Sequence, residues 1–151
     1  MSYIRSVLIA ALILALAACS SAPYKQRVSE RQAAYAAAAG APVKYFRFFT
    51  LYSWEPLSDR QLAIYTRPNE AWLLDLGGGC PDISFVNTIG LTSNLNQVMV
   101  GFDKVLTGRN NFPCTISQIR PVDMKSLKAA QLQQRQIRSE PRSADKPAAA
   151  Q

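Results

Sequence analysis

The residue types that most often carry out chemistry are scarce in this chain of 151 residues. It contains no histidine, which argues against serine–histidine and cysteine–histidine nucleophiles and against most zinc sites. The carboxylate pairs left as candidates for acid–base catalysis are Glu55 with Asp59 and Asp75 with Asp103. Nothing around them indicates burial that raises a pKa, so we interpret them as solvated surface residues. The sequence therefore predicts no catalytic residue, metal or cofactor, and a hydrolase using carboxylates alone is the weakest alternative.

An apolar run near the start of the chain has the organisation of an export signal. It extends from Val7 to Ala18, and Arg5 supplies the basic residue before it. Its 12 residues fall short of the ~20 that a membrane-spanning helix needs. We therefore expect residues 1–18 to be a removable signal peptide.

The residues that close this run predict a lipid anchor. Leu16-Ala17-Ala18-Cys19 is similar to the lipobox of bacterial lipoproteins, whose cysteine receives diacylglycerol and palmitate and becomes the new N-terminus. By this similarity Cys19 is the lipid attachment site, and the protein is a lipoprotein held on a membrane by its acyl chains. Ser20 stands where an aspartate is the usual inner-membrane retention signal, which indicates the outer membrane. We expect the chain to face the periplasm, with the cell surface as an alternative.

Cys80 and Cys114 are the two cysteines that remain. Thiols pair in the oxidising compartment to which an exported chain is delivered. A redox role is the alternative, but the sequence has no Cys-x-x-Cys motif to lower a thiol pKa. We predict a structural disulfide that closes a loop of 34 residues and contributes roughly 3 to 4 kcal/mol.

The formal net charge of +7 comes from the ends of the chain. Residues 44–123 carry seven basic and seven acidic side chains and are neutral, whereas the flanks are basic. A basic excess in flanking segments, in an exported chain, predicts no nucleic-acid partner. We interpret the flanks as solvated, with contact to anionic lipid or cell wall as the alternative.

Composition and turn signals divide the chain into five parts. Ser29 and Gln32 have capping-box spacing ahead of an alanine-rich run, which predicts a short helix in the tether. Asp123 is placed to cap a C-terminal helix that docks by its first turns. The predicted parts are the signal peptide 1–18, a lipidated tether 19–43, a disulfide-stapled β domain 44–123, a C-terminal helix 124–138 and a disordered tail 139–151.

The middle of the chain has the patterning of short strands separated by turns. Alternation and aromatic or β-branched content mark five segments, and Gly101 marks a bend inside one of them. We predict a mainly β fold, a small antiparallel barrel or sandwich of about five strands, with the C-terminal helix. The segments are 45–54, 61–66, 71–76, 97–106 and 114–119.

Tryptophan, tyrosine and arginine dominate the energetically important residues of binding interfaces, and several lie along adjacent predicted strands. The alternative is that the two tryptophans are core anchors. The candidate contact residues are Arg47, Trp54, Tyr65, Arg67 and Trp72.

The order of motifs resembles an uncharacterised family of small proteobacterial lipoproteins. The resemblance covers residues 44–125 and is carried by Trp54, by Asp59-Arg60, by Thr66-Arg67-Pro68-Asn69-Glu70-Ala71-Trp72-Leu73-Leu74-Asp75-Leu76, by Cys80, by Phe112-Pro113-Cys114 and by Ile119-Arg120-Pro121-Val122-Asp123. It implies a two-cysteine β core and a lipid anchor. Because the family is a domain of unknown function, the resemblance supplies no catalytic residue.

From the sequence we expect a non-enzymatic outer-membrane lipoprotein whose β domain binds an envelope protein or a polymer such as peptidoglycan. An inhibitor or immunity module that blocks a cell-wall hydrolase is the alternative. The oligomeric state is left open.

Overall fold

A computed structural model describes residues 24–108 and 112–139 of the chain, with side chains to residue 137. The predicted signal peptide 1–18, Cys19 and residues 140–151 of the predicted tail lie outside the described residues. The chain divides into two compact units, Met1–Glu30 and Arg31–Gln151, and the packing below concerns the second. Among the described residues, no helix combines the length and the apolar composition needed to span a membrane.

Within those residues, eight strands form two antiparallel sheets, which confirms the mainly β prediction. The larger sheet is a half-barrel with the strand order β2-β3-β4-β8-β7-β5, and β1 pairs with β6 in a separate ribbon. The strands are β1 (Tyr45–Arg47), β2 (Ser53–Pro56), β3 (Gln61–Arg67), β4 (Glu70–Gly77), β5 (Gly90–Leu91), β6 (Gln97–Met99), β7 (Lys104–Leu106) and β8 (Cys114–Val122).

The larger sheet is apolar on both faces, as the near-continuous hydrophobic runs in β3 and β4 require. One face carries the main core, where Phe46 and Val98 of the small ribbon pack over the sheet. The main core contains Phe46, Leu62, Ile64, Leu74, Leu76, Cys80, Ile83, Ile89, Val98, Val105, Cys114, Ile116 and Ile119.

Two helices, α1 (Tyr24–Ala38) and α2 (Met124–Ser139), supply side chains that pack on the second face. Small residues of β3 and β4 leave room for the fully buried ring of Tyr35. After α1 the chain runs beside β8, where the Gly40 N–H donates to the Pro121 carbonyl at 2.8 Å. The second core contains Ala34, Tyr35, Ala38, Leu57, Ala63, Ala71, Leu73, Val122 and Leu127.

A helix is present at both predicted places, but only the second begins where the sequence predicts. The capping box at Ser29 is wrong, because Ser29 lies inside α1 and its hydroxyl donates to the Gln26 carbonyl. At α2 the prediction is confirmed, since the Asp123 carboxylate accepts the Lys125 N–H at 2.9 Å. This helix also docks by its first turns: Leu127 is buried and Ile137 is exposed.

Two of the five predicted strands are each divided in the structure. The predicted strand 97–106 becomes β6 and β7 because Gly101 turns the chain with a φ of +79°, which confirms the predicted bend. The predicted strand 45–54 becomes β1 and β2. Here the chain leaves the small ribbon after Phe48, whose N–H donates to Asn96, and joins the large sheet at Tyr52.

The predicted disulfide between Cys80 and Cys114 is present, with 5.6 Å between the two Cα atoms. Gly78 and Gly79 bring Cys80 to that position with backbone φ values of +77° and +82°, a conformation that residues with a Cβ atom rarely adopt. The Cys80 N–H then donates to the Asp59 carbonyl. The disulfide therefore joins the exit of β4 to the start of β8.

Candidate functional site

A cleft of about 260 Å³ opens where the chain crosses from β1 towards β2 and faces the turn between β3 and β4. It contains two of the five residues that the sequence proposed as partner contacts, Arg47 and Arg67. The complete lining is Arg47, Phe48, Phe49, Thr50, Thr66, Arg67 and Glu70.

Aromatic packing holds the β1 side of the cleft in place. The rings of Phe46 and Trp72 are stacked, with centroids 5.1 Å apart and planes at 18°. The ring centroids of Phe48 and Phe46 are 5.9 Å apart, and the backbone N–H of Phe48 donates to the Asn96 carbonyl at 2.9 Å. These contacts fix the position at which Arg47 leaves the strand.

The opposite side is set by the β3–β4 hairpin, whose turn the sequence predicts from Pro68 and Asn69. Arg67 and Glu70 face each other across the turn, and Arg67 Nε lies 3.7 Å from Glu70 Oε2. That separation is an ion pair but is too long for a hydrogen bond. The guanidinium donors of Arg67 are therefore not consumed by Glu70.

The cleft is mildly electropositive. Arg47 is exposed and makes no ion pair with any residue that the structure describes. Two guanidinium groups and one carboxylate, those of Arg47, Arg67 and Glu70, give the lining a net charge of +1. A guanidinium binds a planar anion through paired N–H donors, so the lining is suited to a single negative charge.

Thr66 contributes a polar group for which the surrounding protein provides no partner. Its side chain is 9 % exposed, and within the described residues its hydroxyl is buried without a hydrogen bond. A buried polar atom without a partner costs about 1 to 3 kcal/mol, and such atoms are few in native proteins. Thr66 therefore carries a cost that packing of the domain does not explain.

Phe49 presents a large apolar surface at the cleft, because its side chain is 83 % exposed. Tyr52, three residues further along the same crossing segment, is also exposed. Isolated exposed apolar residues are common, but aromatic rings beside arginines are typical of the residues that dominate protein interfaces.

The other three predicted contact residues do not line this cleft. Trp54 and Trp72 are half-buried and pack against the main core, and the indole N–H of Trp72 finds no partner among the described atoms. Tyr65 lies on the other face of the sheet, packed against the second core. The structure thus joins the two arginines and separates them from the three rings.

Tyr65 belongs to a polar cluster between α1 and the sheet. Tyr35 donates to Glu55 Oε2 at 2.5 Å and is hydrogen-bonded to Tyr65, while Arg31 lies 2.9 Å from Glu55 Oε1. Burial, followed by the hydrogen bond to Glu55, raises the pKa of Tyr35 far above its ordinary value. Burial likewise raises the pKa of Tyr65. Both hydroxyls therefore stay protonated and tie residues 31–38 of α1 to β2 and β3.

The carboxylates considered for catalysis are mostly structural, so the interpretation as solvated side chains is wrong for Glu55, Asp75 and Asp103. Asp103 is buried, and its oxygens accept the Thr92 hydroxyl and the Met99 N–H, both at 2.7 Å. Asp75 is half-buried, and its Oδ2 lies 3.1 Å from Arg120 Nη2. Asp59 alone of the four is exposed, since Glu55 is held in the tyrosine cluster. No group of three metal-ligating side chains occurs in residues 24–108 and 112–139.

A family model built from sequences covers residues 2–138, which is most of the chain. The chain belongs to DUF6491. DUF6491 is described as a family of unknown function, which confirms that the chain belongs to an uncharacterised family. No curated protein and no solved structure matches this chain.

For this DUF6491 member, sequence reasoning missed five cleft residues, Phe48, Phe49, Thr50, Thr66 and Glu70. For two of them, Thr66 and Phe49, the sequence contains a pattern that indicates an unusual position. Thr66 follows Leu62 and Ile64 at the two-residue spacing of one strand face, so in the sequence it is a polar residue at an apolar position. Phe49 comes directly after Phe48, which forces one of two adjacent rings away from the core.

Proposed function

We propose that this protein is a non-enzymatic lipoprotein of the outer membrane that binds an envelope protein or polymer through the cleft. The observation that carries the proposal is the combination of Arg47, Arg67 and the exposed ring of Phe49 around one concave site. Arginine and aromatic side chains bury large surfaces and donate several hydrogen bonds on association. A concave site with convergent polar groups is the usual location for binding.

The anchor in this proposal is supported by the sequence alone. Leu16-Ala17-Ala18-Cys19 closes an apolar run of export length, and Ser20 follows it. Thioether-linked acyl chains on Cys19 hold a protein stably when two or more insert, because each buried methylene adds ~0.8 kcal/mol. Replacing Cys19 with serine is expected to release the protein from the membrane fraction or leave it unprocessed. A processed, fully membrane-bound Cys19→Ser protein contradicts the lipid anchor.

Crosslinking in intact envelopes tests the binding function. The full-length chain with Arg47→Glu and Arg67→Glu should lose the crosslinked partners that the wild-type chain captures, because both guanidinium donors are reversed in charge. Lys125→Glu with Arg135→Glu, two charge reversals at exposed positions of α2, is the matched control and should capture them as the wild-type does. Equal capture by the cleft variant and the control rules out the cleft as the binding site.

The identity of the captured molecule separates the two envelope roles. Capture of envelope-assembly proteins or cell-wall polymer supports the proposed role. Capture of a cell-wall hydrolase whose activity falls in the presence of the chain replaces it with the inhibitor or immunity role.

A further inference from the structure

The chemistry of the cleft lining specifies a class of ligand. We propose that the cleft binds one carboxylate of a peptide together with the aliphatic group beside it. This inference rests on the proposed binding function and names what that function recognises. It is carried by three independent properties of the lining, namely its charge, the buried hydroxyl of Thr66 and its size.

The charge of the lining matches a monoanion. Arg47 and Arg67 supply guanidinium donors from the two sides of the cleft, and Glu70 reduces their combined charge to +1. A carboxylate carries one negative charge and accepts a guanidinium in a bidentate manner. A phosphate monoester carries about −1.5 to −2 at neutral pH and is poorly matched to a site that contains Glu70.

Thr50 and Thr66 supply the neutral hydroxyl donors of the lining, and the Thr66 hydroxyl is the one that is buried without a partner. The Thr66 hydroxyl has no hydrogen-bond partner in the described protein, so a carboxylate oxygen that accepts a hydrogen bond from it removes the cost of burying the hydroxyl unpaired. Its oxygen is buried, so a ligand can accept a hydrogen bond from it only if a neighbouring group moves. Phe49 is in the lining and is 83 % exposed, so its movement costs little packing.

The volume and the walls limit what accompanies the carboxylate. At about 260 Å³ the cleft is below the ~300–1,000 Å³ of sites that hold drug-sized ligands and cofactors. It accommodates one residue rather than a nucleotide. Phe48 and Phe49 provide apolar walls, which favour an aliphatic side chain over a heavily hydrated sugar.

Titration of the isotope-labelled full-length chain with N-acetyl-Ala-Ala tests the proposal by amide chemical shifts. The expected result is saturable binding at millimolar concentration with shifts at residues 47–50 and 66–70. N-acetyl-Ala-Ala amide, which differs only by the loss of the charge, should bind at least roughly fivefold more weakly, as expected for loss of a partly exposed ion pair. Failure of the acid to bind, or equal binding of the amide, overturns the proposal.

Two further probes separate related ligand chemistries. Inorganic phosphate and glucuronate should each bind more weakly than N-acetyl-Ala-Ala. Tighter binding of phosphate overturns the assignment to a monoanion, and tighter binding of glucuronate overturns the assignment to a peptide.

Variants of Thr66 isolate the role of the hydroxyl. Thr66→Val preserves the shape of the side chain and should weaken N-acetyl-Ala-Ala binding by roughly fivefold, whereas Thr66→Ser keeps the hydroxyl and should retain binding. Unchanged affinity in Thr66→Val, with a folded spectrum, removes Thr66 from the site and overturns the proposal. These measurements use defined peptides, so they can fail while the envelope crosslinking succeeds, which distinguishes the ligand class from the binding function.

Discussion

The disulfide between Cys80 and Cys114 is expected to hold a large share of the stability of this domain. It joins residues 34 apart in sequence, and the chain-entropy model assigns a loop of that length about 4 kcal/mol. Folded domains are more stable than their unfolded states by only ~5 to 15 kcal/mol. At ~4 to 8 °C per kcal/mol, the variant Cys80→Ala, Cys114→Ala should melt roughly 15 to 30 °C below the wild-type protein.

The single variants distinguish the covalent bond from the packing of the two side chains. Cys80 and Cys114 are both buried in the main core, so each substitution also removes some packing. If the bond supplies the stability, either substitution alone breaks it, and the double variant is only slightly less stable than each single one. If packing supplies it, the two losses are independent and add.

Urea unfolding followed by circular dichroism measures both quantities. Breaking the bond lets the unfolded chain expand, so the dependence of the unfolding free energy on urea should steepen as well as the midpoint falling. Reductant should lower the midpoint of the wild-type protein and leave the double variant unchanged. Additive losses in the single variants, or a double variant within about 1 kcal/mol of the wild-type protein, would refute this reasoning.

Three further predictions concern single residues. Because the pKa of Tyr35 is raised in the folded state, its contribution to folding stability is complete below about pH 10 and is lost as the pH rises above that value. The unfolding free energy of the wild-type protein should therefore fall above pH 10 by up to ~1.4 kcal/mol per pH unit, and less steeply in Tyr35→Phe. Urea titrations from pH 8 to 11 measure this. Thr66→Val should leave the unfolding free energy unchanged or raise it by about 1 kcal/mol, because it removes a buried hydroxyl without a partner. If urea unfolding shows that the unfolding free energy falls by more than about 1 kcal/mol, the hydroxyl has a hydrogen-bond partner. Hydrogen bonds from Ser126 lower the pKa of Asp123, so the helix cap should persist above about pH 4 and be lost as the pH falls below it. Hydrogen exchange in the first turn of α2 should show this pH dependence in the wild-type protein and not in Asp123→Asn.

The parts of the fold that follow from local patterns could be predicted from the sequence. The β3–β4 hairpin follows from two apolar runs separated by the turn residues Pro68 and Asn69, and the cap of α2 follows from Asp123. The disulfide follows from the cysteine count and the export signal. These features depend on residues close in sequence, or on chemistry that limits the choice of partner.

Features that depend on tertiary packing could not be predicted in the same way. Nothing local indicates that Tyr35 of an alanine-rich helix is fully buried beside Glu55, or that Asp103 is buried at the turn between β6 and β7. Of the seven residues that line the candidate cleft, two were predicted. Arg47 and Arg67 were proposed from residue type, but their proximity depends on where the chain crosses between the two sheets, which no periodicity specifies.

The strand order of the larger sheet has a consequence for self-association. Its two outer strands are short, with four residues in β2 and two in β5, and Pro56 at the end of β2 has no N–H to donate. Long, flat edges recruit strands from other chains and lead to aggregation, whereas short edges interrupted by proline resist it. The backbone of this sheet therefore offers few free hydrogen-bonding groups to a strand of another molecule, which disfavours polymerisation through the edges of this sheet.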